Sequence, residues 1–188
     1  DDFRFRPFCW RARMALAHKG LDAELRDVKF SDRAPIAPSG QERLPVLVDG
    51  DSWISDSWAI AEYLDDNFPD ERPLFGAGST RAVARFVNSW ADSVLHGGIF
   101  GLVARDIFDH VHADDSDFFR QTREARIGMS LEDFQAGRED RLEAFRATLT
   151  PLRLTLKEQI FLGGATPAYA DYIVFGGFQW ARCVSDFK

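Results

Sequence analysis

Residues 44–69 read LPVLVDGDSWISDSWAIAEYLDDNFP, and this stretch decides the fold. Leu44 to Val48 and Ser52 to Ile54 are apolar runs on either side of Asp49, Gly50 and Asp51, which predicts two short strands joined by a tight turn. Ser55 or Asp56 then stands where a side-chain oxygen caps a helix, and Ile60, Tyr63, Leu64 and Phe68 return at three- and four-residue spacing. The stretch is a hairpin feeding a helix.

Upstream, Pro7 opens PFCWRARMALAHKG and Gly20 closes it, the preferred residues for the first position of a helix and the position just past its end. His18 and Lys19 suit the negative C-terminal end of that helix. Glu24 to Phe30 alternates weakly and is expected as a strand, followed by a Pro-, Ser- and Gly-bearing loop, SDRAPIAPSGQER. Downstream, PDERPLFGAGST has no periodicity and reads as a linker over residues 70–79. It separates an α/β domain, 1–69, from an all-helical domain, 80–188. In the latter, Val83, Phe86, Val87, Trp90 and Val94 share one face of a long helix from Thr80 to His112, with a bend expected at Gly97 and Gly98. Further helices are expected over about 117–128, 130–157 and 168–184.

The 188 residues carry a net charge of −7 with no basic face, which argues against nucleic acid. No apolar run reaches the about 20 residues that span a bilayer, and no signal peptide is evident, so a cytoplasmic protein without a membrane partner is expected. Cys9 and Cys183 are too few for a disulfide framework and are not spaced as metal ligands, so no metal is expected. Seventeen Phe and five Trp supply a broad core or an apolar pocket for a flat ligand.

The hairpin followed by SDSWAIAEYLDDNFPD, and the later ATPAYADYIVFGGFQWA, resemble the glutathione-binding core and the N-capping segment of glutathione S-transferases. Within that superfamily, FCWRARMALAHKG, RLPVLVDGD, DSWAIAEYLDD and LEDFQAGREDRLEAF are most similar to the bacterial lignin β-etherase branch and its fungal relatives. The resemblance implies a thioredoxin-like N-terminal domain and an all-helical C-terminal domain. Family members open with a strand for which only DDFRFR is at hand, and they continue beyond Lys188, so both ends of the longer family pattern are expected to lie outside this chain.

The resemblance also implies glutathione as co-substrate, a small hydrophobic electrophile, and a homodimer. Leu44 and Pro45 match the residue that pairs with the cysteinyl part of glutathione and the cis-proline after it; otherwise Pro45 merely opens a strand. Asp56 and Ser57 match the acidic-Ser pair at the γ-glutamyl end, where helix N–H groups and the hydroxyl receive a carboxylate; otherwise they only cap the helix. Gln41 and Arg43 either reach the glycyl carboxylate or are solvated. Arg6 stands where the β-etherase branch has the Ser whose hydroxyl meets the glutathione sulfur. Its charge either stabilises a thiolate or has no role. Cys9, in the first turn of the same helix, is an alternative nucleophile for thiol transfer or a small buried hydrophobe. His96 and Phe100 are the candidates for a second-substrate pocket, against the alternative of core packing. Near the far end, Asp171 is expected to satisfy a helix start that Ala168 cannot cap.

Overall fold

A computed structural model describes residues 5–69, 72–76, 78 and 80–188. The thioredoxin-like half contains α1 (Pro7–Lys19), a 3-10 turn (Ala34–Ser39), β1 (Val46–Asp49), β2 (Ser52–Ser55) and α2 (Ser57–Asn67). Its sheet among the described residues is the antiparallel pair β1–β2, with Val46 opposite Ser55 and Asp49 opposite Ser52. The all-helical half runs α3 (Thr80–Trp90), a π-helical turn (Ala91–Leu95), α4 (His96–Asp109), α5 (Ser116–Ile127), α6 (Leu131–Gln135), α7 (Arg138–Thr148), α8 (Thr150–Glu158) and α9 (Tyr169–Val184).

α1 starts and stops where its sequence says. Pro7 occupies the first helical position, and Gly20 ends the helix at φ 70, a left-handed conformation cheap only for glycine. Its core-facing side is unusual, because Arg11 and Lys19 are buried beside Ala12 and Ala15. Lys19 meets Asp65 at 2.6 Å and donates to the Phe68 carbonyl at 3.1 Å. Asp65 also accepts from the Leu74 and Phe75 amides, at 2.8 and 3.2 Å. That carboxylate anchors the segment expected as a linker, and Leu74 and Phe75 are buried. Burying a side chain such as Leu64, Leu74 or Ile173 stabilises the fold by about 1.5–3 kcal/mol.

α9 is the central support of the helical half and packs most extensively on α1. Its close approach depends on two glycines. A Cβ on Gly176 would stand 2.6 Å from the Pro7 carbonyl oxygen, and one on Gly177 would stand 3.0 Å from Leu95 and 3.1 Å from the His96 ring. Asp171 secures the start of α9 by accepting from the backbone amides of Ala168, Leu162 and Gly163 at 2.7–3.0 Å.

The structure adds to or departs from the sequence reading at four places. Residues 24–30 form no strand among the described residues; instead Asp115, fully buried, accepts from the Phe30 and Ser31 amides at 2.9 Å and holds this segment as a loop. The long helix is interrupted not at Gly97 and Gly98 but just before them, by the π-helical turn, and Gly98 serves packing: a Cβ there would collide with the Phe145 ring at 2.2 Å. The single helix expected over 130–157 is three. Gly137, at φ 66, separates α6 from α7, and Leu149, followed by Pro151, separates α7 from α8. Finally, α3 turns Ala84 and Asn88 inward and leaves Val83 and Phe86 exposed, because Asn88 partners the buried Arg11.

Candidate functional site

The cis peptide Leu44–Pro45, the start of β1 and the start of α2 meet at one corner. The Asp56 amide donates to the Pro45 carbonyl at 3.3 Å, which brings the turn into α2 against the proline. Asp56 is the N-cap of α2: its Oδ1 accepts from the Trp58 amide at 2.8 Å and the Ala59 amide at 3.2 Å. It does this at φ 78, the one positive φ outside glycine among the described residues. Such a conformation costs energy for a residue with a Cβ and is concentrated at functional sites.

Asp56 is exposed, whereas Ser57, at the first helical position, is 2% exposed. The backbone carbonyl of Ser57 accepts from the Tyr169 hydroxyl at 2.5 Å. Pro45 is buried and Leu44 half-buried beside this corner; Gln41 and Arg43 are exposed on the approach to it. The fold therefore brings Leu44, Pro45, Asp56 and Ser57 together, and Gln41 and Arg43 precede them in the chain, exposed.

The start of α1 is different. Arg6 is its N-cap by backbone, and its guanidinium lies 3.9 Å from the centre of the Phe30 ring. Burial lowers the Arg6 pKa to about 10, with Cys9 and Asp115 opposing the shift and Arg33 adding to it, so Arg6 stays charged at neutral pH. Burial pushes the Cys9 thiol up to about 11, against the smaller lowering pull of Arg6. At neutral pH Cys9 is a thiol, the reverse of the direction a helix N-terminus alone imposes.

His96 and Phe100 have different neighbours. His96 is buried behind α1, where its Nε2 lies 3.4 Å from an Arg11 nitrogen and its ring meets Phe8 edge-on. Burial, with Arg11 adding to it, lowers its pKa to about 3, so it is neutral at neutral pH. Phe100 packs on Phe134, with the Arg126 guanidinium 5.2 Å from its ring centre. A cleft of about 660 Å³ lies elsewhere, between the end of α4 and the residues after α9, lined by Asp106, His110, Arg138 and Ser185 among others.

Arg11 and Tyr169 carry much of this geometry, and the sequence reading left both out. Arg11, 1% exposed, donates to Asn88 Oδ1 at 2.8 Å and Asp92 Oδ1 at 2.7 Å, joining α1 to α3 and the π-helical turn. The available signal was the four-residue spacing of Pro7, Arg11 and Ala15, which puts a charge on the buried face of α1. Among the described residues no three His, Cys, Asp or Glu side chains gather as metal ligands would, and no helix is long and apolar enough to cross a membrane.

Residues 5–67 match the family described as glutathione S-transferase, N-terminal domain, and residues 82–187 match its C-terminal domain. Glutathione S-transferase U22 of Arabidopsis thaliana is 25% identical over 183 residues, 95% of this chain and 71% of that protein. Further curated relatives match over about half of this chain, and the chain spans 40% of one and 44% of another. Glutathione transferase GSTFuA3 from Phanerochaete chrysosporium superposes with a TM-score of 0.88 at 26% identity, covering 96% of this chain and 79% of that one. CsGST63524 of Ceriporiopsis subvermispora, solved in complex with glutathione, gives a TM-score of 0.83 at 25% identity, covering 96% and 80%.

Proposed function

This chain belongs to the glutathione S-transferase family, and on that premise we propose that it is a glutathione transferase whose co-substrate lies along residues 44–57. The observation that carries the reading is the strained N-cap: Asp56 at φ 78, beside the cis peptide Leu44–Pro45, with Ser57 opening the helix. The α2 start offers the Ser57 amide and hydroxyl and partial positive charge to the γ-glutamyl carboxylate, while the Asp56 carboxylate meets the α-ammonium group. The backbone of Leu44 pairs with the cysteinyl unit, and Gln41 and Arg43 reach toward the glycyl carboxylate.

The bound thiol must then ionise, since a free thiol has a pKa of about 8.5. Arg6 supplies a fixed positive charge at the α1 start in place of a hydroxyl. The thiolate attacks an apolar aromatic electrophile. In the sharper form, which rests on the β-etherase resemblance, it forms a C–S bond to the carbon bearing an aryl ether, the C–O bond breaks, and the aryloxide departs with the electron pair and takes a proton from water. No oxidant or reductant is consumed. The cytoplasm is the proposed compartment. A homodimer is the proposed assembly, supported by Val83 and Phe86, exposed on one side of α3.

Calorimetric titration of glutathione into the protein, repeated with Ser57→Ala, tests the site: micromolar to millimolar binding lost in the variant is expected, and no binding by folded wild type overturns the reading. Thioether formation from chlorodinitrobenzene and from a model β-aryl ether then separates general transfer from ether cleavage. Arg6 favours one second reading, a protein that holds glutathione without turnover, for which the outcome is binding with no product from either electrophile. Thiol transfer through Cys9 is disfavoured by its protonated state at neutral pH.

A further inference from the structure

We infer that Tyr169 is a positioning residue for the start of α2, acting through the Ser57–Trp58 peptide on the γ-glutamyl end of the ligand; the inference rests on the glutathione reading above. Tyr169 is fully buried at the first position of α9, yet its hydroxyl reaches across to the other half of the chain and donates to the Ser57 carbonyl at 2.5 Å. The same peptide unit carries the Trp58 amide, which donates to Asp56 Oδ1 at 2.8 Å. That peptide plane is therefore gripped at both edges, by a phenol on its carbonyl and a carboxylate on its N–H. Fixing the plane fixes ψ of Ser57 and holds the Asp56 carboxylate against the helix at a φ that costs energy. Hydrogen bonds in series also polarise one another, so the phenol strengthens the Trp58 amide as a donor to Asp56.

Tyr169 is itself immobile. Its amide donates to the Leu74 carbonyl at 2.7 Å, and its ring meets Trp58 at 5.7 Å and Phe75 at 5.2 Å between centres. If packing were the whole role, phenylalanine would serve without the need to satisfy a buried hydroxyl. The hydroxyl is the informative atom. It makes the helical half a part of the proposed glutathione site without touching the ligand.

The test compares Tyr169→Phe, which keeps every ring contact, with wild type for binding of S-hexylglutathione and of S-hexyl-cysteinylglycine, which lacks the γ-glutamyl group. Loss of one hydrogen bond's worth of positioning predicts about a five- to tenfold weaker affinity for the tripeptide. The dipeptide affinity is expected to change by less than about twofold. Phe75→Leu, which loosens the same aromatic cluster but keeps the phenol, is expected to lower stability and leave the ratio of the two affinities unchanged. Equal weakening of both ligands in Tyr169→Phe, no weakening of either, or a ratio shift of the same size in Phe75→Leu overturns the inference. Wild type that binds neither ligand removes the glutathione reading as well. Binding that is lost in Ser57→Ala and intact in Tyr169→Phe removes this inference alone.

Discussion

At the start of α1 a guanidinium lies against a phenyl ring and a thiol is held protonated by burial; at the start of α2 a carboxylate caps two amides from a strained backbone beside a serine. Both are helix N-termini of the same half of the chain, and both carry the same partial positive charge. The difference is in what the neighbouring chain does with them. α1 packs along α9 and its Arg6 lies against Phe30, so Arg6 and Cys9 are half-buried. α2 begins at an exposed turn, where Asp56 faces solvent. An equal electrostatic endowment is thus open to solvent at Asp56 and largely covered at the start of α1.

The largest expected effect breaks the closed end. Arg11→Met strands Asn88 and Asp92 without their shared cation and is expected to cost about 3 kcal/mol or more in urea unfolding, with native-state alkylation of Cys9 becoming faster. A cost under about 1 kcal/mol would show that the network does not hold α1 shut. The buried histidine gives the next effect. His96 falls from 6.5 to about 3 on folding, so below about pH 6.5 the unfolded chain takes up a proton that the folded chain refuses. Stability is therefore fully present above pH 6.5 and declines as pH falls toward 3, by up to about 1.4 kcal/mol per pH unit. His18, also lowered chiefly by burial, adds with the same sign. His96→Gln should flatten the slope between pH 6.5 and 4.5, measured by denaturant titration at several pH values; an unchanged slope removes His96 as its source.

A pair of variants sharpens the open end. Asp56→Ala loses the cap and places a Cβ residue at φ 78 with no local compensation, and about 1 kcal/mol of stability is expected to go. Asp56→Asn keeps a capping oxygen and tolerates that φ, so stability stays within about 0.5 kcal/mol. Its loss of charge is expected to weaken glutathione about tenfold, read by calorimetry. The smallest effect is at Cys9: Cys9→Ser should leave transferase turnover within about twofold, and wild-type alkylation at pH 7 should be slow and rise toward pH 11. Fast alkylation at pH 7 would contradict the raised thiol pKa.

Local chemistry was legible in the sequence, and long-range contact was not. Pro7 and Gly20 bounded α1, the Asp49–Asp51 turn fixed the hairpin, and Ser55 or Asp56 marked the start of α2, because each signal lies within a few residues of the structure it sets. Glu24 to Phe30 had strand-like alternation, but a strand also needs a neighbour, and Asp115, more than 80 residues away, supplied different partners. The sequence put Val83 and Phe86 on one face of α3 without saying which way it points; Arg11 draws Asn88 inward and both are left exposed. The corner at 44–57 was readable from one continuous segment. The phenol that steadies it was not, since nothing near Tyr169 in the chain refers to Ser57.

That separation sets an order of events during synthesis. Ser57 and Tyr169 lie 112 residues apart, so a ribosome has displayed the hairpin and α2 long before it has made the phenol that grips them. At about 5–20 residues per second the N-terminal half waits on the order of ten seconds for that contact. Until α9 emerges, the apolar faces of Trp58 and Phe75 lack their Tyr169 partner. The corner proposed to take the ligand is therefore completed late, by a phenol made 112 residues after the carbonyl it holds.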